Sequence, residues 1–544
     1  MAALGTSTNP RQRLWLGLAL ALLTFVAIVS TLSDVGVTWD EPLYIKASRG
    51  YMTWLGMLRR DPSLALSDST IVRWWVQDPT LELHPPVGKL LSGLTWAAFR
   101  GVIGDISAHR LSNAGLFSLM VAMVFWMVSS AFDAASGIFA ALSLLFMPRM
   151  FLHAHLANID TTIAITCFLA TYLFWKLESR STMQEAARRD IWLLTLATGL
   201  AFGLALATKL NAVVLPVVWL VWILLFHRTW QALCRLAVIG LTGAATFLVT
   251  WPWLYYDTAS RLVYYISMAS RFKDRPQFYL GQVMPHVSWH YPFVITLAVV
   301  PLVITVMYFL GGMRVLRSRP AHPAGWLFIL SAALPLFVAA TGLQAAYSGE
   351  RHFIPAYPYL ACLAGVGFGE LGKTLIHAWE HTVERRPARD TRHFIWPFLL
   401  LLMLPTGVTI ARLHPYELSY YSEAVGGLQG ATRIGLETTF WCETYRDALP
   451  FLNTSAEQGA SVWVENPYVL RLYQQVGLLR PDLVATGGDT VNPQLADLAV
   501  VEMRQTGFAY TPEIVDILTS RTPVYSLARF GVPLMHVFQL GNEG

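Results

Sequence analysis

Apolar runs about as long as a bilayer is thick recur along this chain, and they limit what it can fold into more than any other feature. A helix rises about 1.5 Å per residue, so roughly twenty apolar residues cover a hydrocarbon core. Such runs lie near 14–32, 112–131, 135–150, 161–176, 191–207, 211–227, 233–250, 292–311, 324–341, 354–371 and 394–411. The first, "LWLGLALALLTFVAIVSTL", follows Arg11 and Arg13 and is longer than the about 7 to 15 residues of a signal-peptide core, so it reads as an uncleaved span. With 55% hydrophobic and 13% charged residues over 544 positions, the chain is too apolar for a soluble multidomain enzyme. The expected fold is an α-helical polytopic membrane protein with about eleven transmembrane helices.

A further run from Pro86, "PVGKLLSGLTWAAFRG", carries Lys89 and Arg100 and either crosses or lies flat. Basic residues in short loops mark the cytoplasmic side. If 87–103 lies along the interface, "KLESRSTMQEAARRD", "HRTWQALCR", "RVLRSRP" and "KTLIHAWEHTVERRPARDTRH" all fall on the side of Arg11 and Arg13. This places the amino terminus inside and the carboxyl terminus outside, with an interfacial helix at 87–103. The net charge is only +5 and its basic residues are scattered, which argues against nucleic acid as a partner. Cys167, Cys234 and Cys362 sit in or beside apolar runs, leaving Cys442 without a partner; no disulfide framework or cysteine metal site is implied.

The outward loops are then 33–111, 151–160, 251–291, 342–353 and everything after 412. Past 412, short β-rich runs ("ASVWVE", "DLAVVEM", "PVYSLARF") alternate with helical ones ("TYRDALPFLN", "NPYVLRLYQQVG"). A membrane domain over 1–412 and an extracytoplasmic soluble α/β domain over 413–544 are expected. No internal repeat or glycine-rich phosphate loop is visible, so a nucleotide-driven pump is not supported.

The unusual polar residues gather on these outward loops. The segment "TWDEP" sets Asp40 and Glu41 where the chain leaves its first span, and "LANIDTTIA" sets Asp160 where it re-enters the fourth. Carboxylates are costly in lipid, so these are placed to stay wet. An acidic pair at such a boundary also reads as an ordinary solvated helix end, because Asp and Glu commonly begin helices. Its company weighs against that reading: His84, Lys89, Arg110, Lys209 and Arg351 share the same aqueous face. His84, followed by two prolines, reads as a turn residue or a ligand, and His153 and His155 alternate as chelators could. The aromatic residues of 251–291, among them Trp251, Trp253, Tyr255, Tyr256, Phe278, Tyr279 and Trp289, read as an interfacial belt or as a sugar-stacking surface.

Together, the acidic pair, "HPPVGK", "RLSNAGL", "LANIDTTIA", "GLALATK", "DRPQFYLGQ" with "YPFVITL", and "ERHFIPAYPYLACLAG" resemble the glycosyltransferases of the GT-C superfamily. The likeness covers about residues 12–412 and points to the branch containing protein O-mannosyltransferases and lipid A aminoarabinose transferases. The aminoarabinose branch has Lys-Pro where this chain has "HPP", and the tail "HPYELSYYSEAVGGLQGATRIGLETTFW" resembles neither.

The resemblance implies an inverting enzyme of the cytoplasmic (inner) membrane. It would move a sugar from a polyprenyl-phosphate donor to a protein hydroxyl, glycolipid or cell-envelope glycan on the outer face. Asp40 would be the general base, Glu41 its neighbour and Asp160 the second-loop acid. Arg351 and Lys209, with Lys89 and Arg110 behind them, would bind the donor phosphate, and His84 would face substrate. A divalent metal is compatible but not required. A secondary transporter or flippase of lipid-linked or anionic substrates is the alternative, although such proteins place charges near the midplane of repeated halves. A non-catalytic scaffold whose tail binds a partner is a further one.

Overall fold

The computed structural model describes residues 9–76, 84–183, 187–271, 275–286, 288–318, 322–343, 347–382, 392–488 and 491–541. Residues 81–83 of "LELHPPVGK", Asp274 of "DRPQFYLGQ" and parts of the basic loops lie outside them.

Every expected apolar run contains helix. Among the described residues, six helices are both long and apolar enough to cross a membrane: Pro10–Val29, Asp105–Ala131, Arg188–Leu206, Trp230–Thr250, Pro323–Ala340 and Ile354–Ala378. This is fewer than the eleven runs, for local reasons. The run at 135–150 splits at Pro148 into Ala134–Leu145, of 12 residues, and Pro148–His153; the first piece is only about 18 Å long. The run at 292–311 is interrupted where Pro301 lacks an N–H, giving Tyr291–Val299 and Leu302–Arg317. Helix Ile159–Ser181 is long enough but carries Asp160 in its first turn and Arg180 in its last.

Helices Leu302–Arg317 and Tyr357–Thr382 meet through two glycines. A Cβ on Gly311 would lie 1.9 Å from the Leu363 carbonyl oxygen, and one on Gly367 would lie 1.9 Å from that of Met307. Only a bare backbone permits that approach, which is how small residues let membrane helices pack.

Between the first two long helices, the chain forms Glu41–Arg60, Pro62–Ala65, Asp68–Trp75 and Val87–Ile103. The last of these buries Val87, Gly88, Lys89, Ser92 and Gly93 while Leu94, Phe99 and Val102 stay exposed, so it packs on one face only. The expected aromatic belt divides. Tyr255, Tyr256 and Trp289 are exposed, but Trp251, Trp253 and Tyr279 are buried. Trp251 and Trp253 pack with Tyr51, Trp54 and Trp75 of the first outward segment, so they are core rather than belt.

After helix Arg392–Leu413, the tail builds a five-stranded sheet from β3 (Ser461–Val464), β4 (Val484–Gly487), β5 (Leu498–Glu502), β6 (Tyr525–Arg529) and β7 (Val532–Gln539), while β1 (Gln277–Tyr279) and β2 (Gln282–Met284) form a separate hairpin. The strand order is β4-β3-β5-β7-β6. Strand β3 pairs in parallel with β4 and β5, and β7 runs antiparallel to β5 and β6. Every residue of β5 is buried, as a continuous apolar strand inside a covered sheet must be. The parallel pairs need crossovers, and helix Pro467–Gln475 supplies the one between β3 and β4. Three of the runs read as strands become β3, β5 and β6; β4 and β7 carried no comparable signal.

Candidate active site

Asp40 occupies the N-cap position of helix Glu41–Arg60, yet its side chain makes no capping bond. It pairs instead with Arg351, whose Nη1 donates to Asp40 Oδ2 at 2.8 Å across 311 residues. Asp160 is likewise free of capping duty, because Asn158 accepts from the Thr161 N–H and caps Ile159–Ser181. Lys209 Nζ donates to Asp160 Oδ1 at 2.7 Å. The solvated-helix-end reading therefore fails for both carboxylates. Arg351 and Asp40 retain 11% and 21% side-chain exposure, so this pair is reachable from outside.

His84 and His352 belong to the same cluster. Burial, reinforced by the positive charges of Lys209, Lys89 and Arg351 and opposed by Asp160, holds His84 well below its ordinary value. Burial, Lys209 and Arg351 do the same to His352. Both are neutral imidazoles at physiological pH, able to hydrogen-bond but not to act as fixed cations. Lys89 is buried and donates to the His84 carbonyl oxygen at 2.6 Å, and Asn211 Nδ2 donates to the His352 carbonyl oxygen at 2.6 Å.

Glu41 and Arg110 are placed differently. They pair with each other at side-chain exposures of 0% and 1%. All five Arg110 N–H donors are used, on Glu41 and on the carbonyls of Leu32, Val35 and Gly36. Glu41 also accepts from the Thr38 N–H and hydroxyl and from the Ala157 N–H. This pair ties the end of the first span, the start of the helix at 105 and the loop before Asp160 into one knot. It has no donor left for a ligand, unlike the expectation for Arg110.

The sequence reading missed a third buried pair behind Arg351. Arg149 Nη1 donates to Glu350 Oε2 at 2.7 Å, and His153 Nε2 lies 3.3 Å from Glu350 Oε1. Burial would raise Glu350, but the Arg149 guanidinium and the His153 bond outweigh it and hold the carboxyl down to about 2. Arg149 is a lone cation ending an apolar run, the same signal that singled out Asp160. His153 and His155 do not converge as chelators. His153 faces Glu350 and Asn158, whereas His155 faces Thr31 and the Phe151 carbonyl. Among the described residues, no three His, Cys, Asp or Glu side chains gather as a metal site, and Asp40 and Asp160 each already bind a cationic side chain.

The tail closes over this cluster. The Trp39 N–H donates to the Trp441 carbonyl at 2.9 Å, Asn466 Nδ2 donates to the Trp39 carbonyl at 2.9 Å, and the Val37 N–H donates to the Tyr473 hydroxyl at 2.6 Å. A Cβ at Gly36 would lie 1.9 Å from the Glu443 carbonyl oxygen, so only glycine lets the two backbones meet. The sequence gives no warning of these contacts.

A profile of the family described as dolichyl-phosphate-mannose-protein mannosyltransferase matches residues 69–309. No curated protein matches in sequence. The crystal structure of ArnT from Cupriavidus metallidurans bound to undecaprenyl phosphate shares 16% identity and a TM-score of 0.51, over 97% of this chain and 98% of that one. Its apo state gives 17% and 0.51 over 96% and 97%. An Archaeoglobus fulgidus oligosaccharyltransferase tethered to an acceptor peptide gives 9% and 0.51 over 90% and 69%. These structures share a fold with this chain. The family profile spans less than half of the 544 residues, so its match is a likeness over that stretch.

Proposed function

We propose that the protein transfers a sugar from a polyprenyl-phosphate donor to a nucleophile on the outer face of the cytoplasmic membrane, with inversion at the anomeric carbon. The observation that carries this reading is the Asp40–Arg351 pair, formed between distant segments at 2.8 Å and accompanied in the same cluster by Asp160–Lys209. The acceptor oxygen attacks the anomeric carbon and its proton passes to Asp40. The carbon–oxygen bond to phosphate breaks, and the electron pair leaves with the polyprenyl phosphate. Charge grows on that phosphate, and Arg351 and Lys209 are fixed cations to receive it.

The resting pairs suggest an order of events. An incoming phosphate competes with Asp40 for Arg351 and with Asp160 for Lys209. Donor binding therefore strips Asp40 of its cationic partner and leaves the carboxylate free to take a proton. Glu41 and Arg110 take no direct part; they hold the Asp40 segment. The neutral His84 and His352 and the buried Lys89 line the cluster, where they can orient sugar or phosphate oxygens.

Purified protein in nanodiscs, offered a panel of undecaprenyl-phosphate sugars and an envelope extract, is expected to release undecaprenyl phosphate from one donor. Mass analysis of the labelled material would name the acceptor. Release from none of the panel would defeat the proposal.

A further inference from the structure

The tail segment 437–444, "ETTFWCET", is unaccounted for by the reaction as described, yet it touches Arg351 and the residue before Asp40. Trp441 is buried at 2% exposure. Its ring lies under the Arg351 guanidinium, with Cζ 4.9 Å from the ring centroid, while Tyr347 contacts the same guanidinium at 5.3 Å. Its carbonyl holds the N–H of Trp39, the residue before Asp40. The preceding Phe440 backs Arg149, 5.4 Å from its guanidinium, and so supports the Arg149–Glu350 pair next to Arg351.

The segment is itself held rigidly. Cys442 adopts a left-handed backbone (φ 68°), which a non-glycine residue keeps only when its surroundings enforce it. Both Glu502 oxygens accept its N–H at 3.0 Å. The Thr439 and Thr444 hydroxyls donate to the same carboxylate at 3.0 and 3.1 Å. Glu502 ends the fully buried strand β5, so the turn is fastened to the centre of the sheet.

We infer that Trp441 is a positioning residue for the transfer reaction, one side chain and one carbonyl that together set where Arg351 and Asp40 stand relative to each other. An aromatic face attracts and orients a guanidinium without neutralising it. Arg351 thus keeps its charge for phosphate while losing its freedom to swing. A small misplacement of such a group costs rate out of proportion to its size. The inference rests on the reading of Arg351 as a phosphate-binding residue, and it assigns the tail a part in that site.

The test is a double-mutant cycle in the nanodisc donor assay, with melting temperature followed alongside. Trp441→Leu stays apolar but is smaller and removes the aromatic face; Trp441→Phe is smaller too but keeps a face. Both variants leave space at a buried site and should lower the melting temperature, but only Trp441→Leu is expected to lower kcat/KM for donor, about tenfold, with Trp441→Phe within about threefold of wild type. In an Arg351→Ala background, Trp441→Leu should have little further effect. Equal loss in the Phe and Leu variants, full additivity with Arg351→Ala, or wild-type kinetics in Trp441→Leu would each overturn the positioning role. Should Trp441→Leu lose its fold while Trp441→Phe does not, the residue is a packing residue and the inference also falls. Unchanged donor kinetics in Arg351→Ala alone would instead refute the phosphate reading on which it rests.

Discussion

Two neighbouring residues divide the polar machinery of this protein between two regions of opposite physics. Asp40 belongs to a partly open region, where it holds one cation from a distant loop and solvent still reaches the pair. Glu41, one peptide further on, belongs to a sealed knot in which carboxylate and guanidinium are saturated by protein donors and acceptors. Burying an ion pair costs desolvation that only complete hydrogen bonding repays. The knot meets that demand and so can serve only as structure. The Asp40–Arg351 pair is instead left partly open to solvent. Identical chemistry becomes scaffold or site according to how many of its hydrogen bonds the protein itself completes.

The widest contrast should come from neutralising each acid in turn. Asp40→Asn is expected to lower transfer by about 10²- to 10⁴-fold with expression and melting temperature near wild type; activity within tenfold of wild type would erase the difference between the regions. Arg110→Met should do the reverse. It leaves Glu41 buried without its cationic partner, at a cost of about 3–5 kcal/mol, and is expected to prevent recovery of folded protein by size-exclusion chromatography. A paired replacement, Glu41→Gln with Arg110→Met, should recover part of that loss. A folded, stable Arg110→Met protein would show that the knot is not structural.

A smaller effect should sharpen the comparison in the tail. Burial, with the Glu417 charge adding to it, pushes Glu443 up to about 7, against the opposing pull of its own backbone N–H, Thr439 and Arg149. A carboxyl raised in the folded state contributes stability that is fully present below its unfolded value of about 4.5 and is lost as pH rises through about 7. Between pH 5.5 and 8.5 the melting temperature should therefore fall, by the equivalent of on the order of 1–3 kcal/mol. Glu443→Gln should flatten that slope, and an unchanged slope would remove Glu443 as its source.

What the sequence reveals follows from the range of the forces involved. Apolar runs, the strands in "ASVWVE" and "DLAVVEM", and lone charges at span ends are local patterns, and they locate the spans, part of the sheet and the polar residues that gather around Arg351. Pairing is not local. Nothing in "TWDEP" tells which acid meets Arg110 and which meets Arg351, 69 and 311 residues away. The same holds for Arg149 with Glu350, 201 residues apart, and for Trp441 with Trp39. The aromatic residues of 251–291 mislead for a related reason, because membrane-edge tryptophans and core tryptophans look alike until their neighbours are known.

The anchoring of the Trp441 turn by Glu502 reverses the usual relation between order of synthesis and order of use. Asp40 emerges from the ribosome near the start of translation, whereas the carboxylate fixing the Trp441 turn follows Cys442 by 60 residues. The helices that precede the tail can thus be complete while Arg351 still lacks the Trp441 ring beside it. A polypeptide released too early would carry the membrane helices without the turn that sets Trp441 against Arg351 and Trp39.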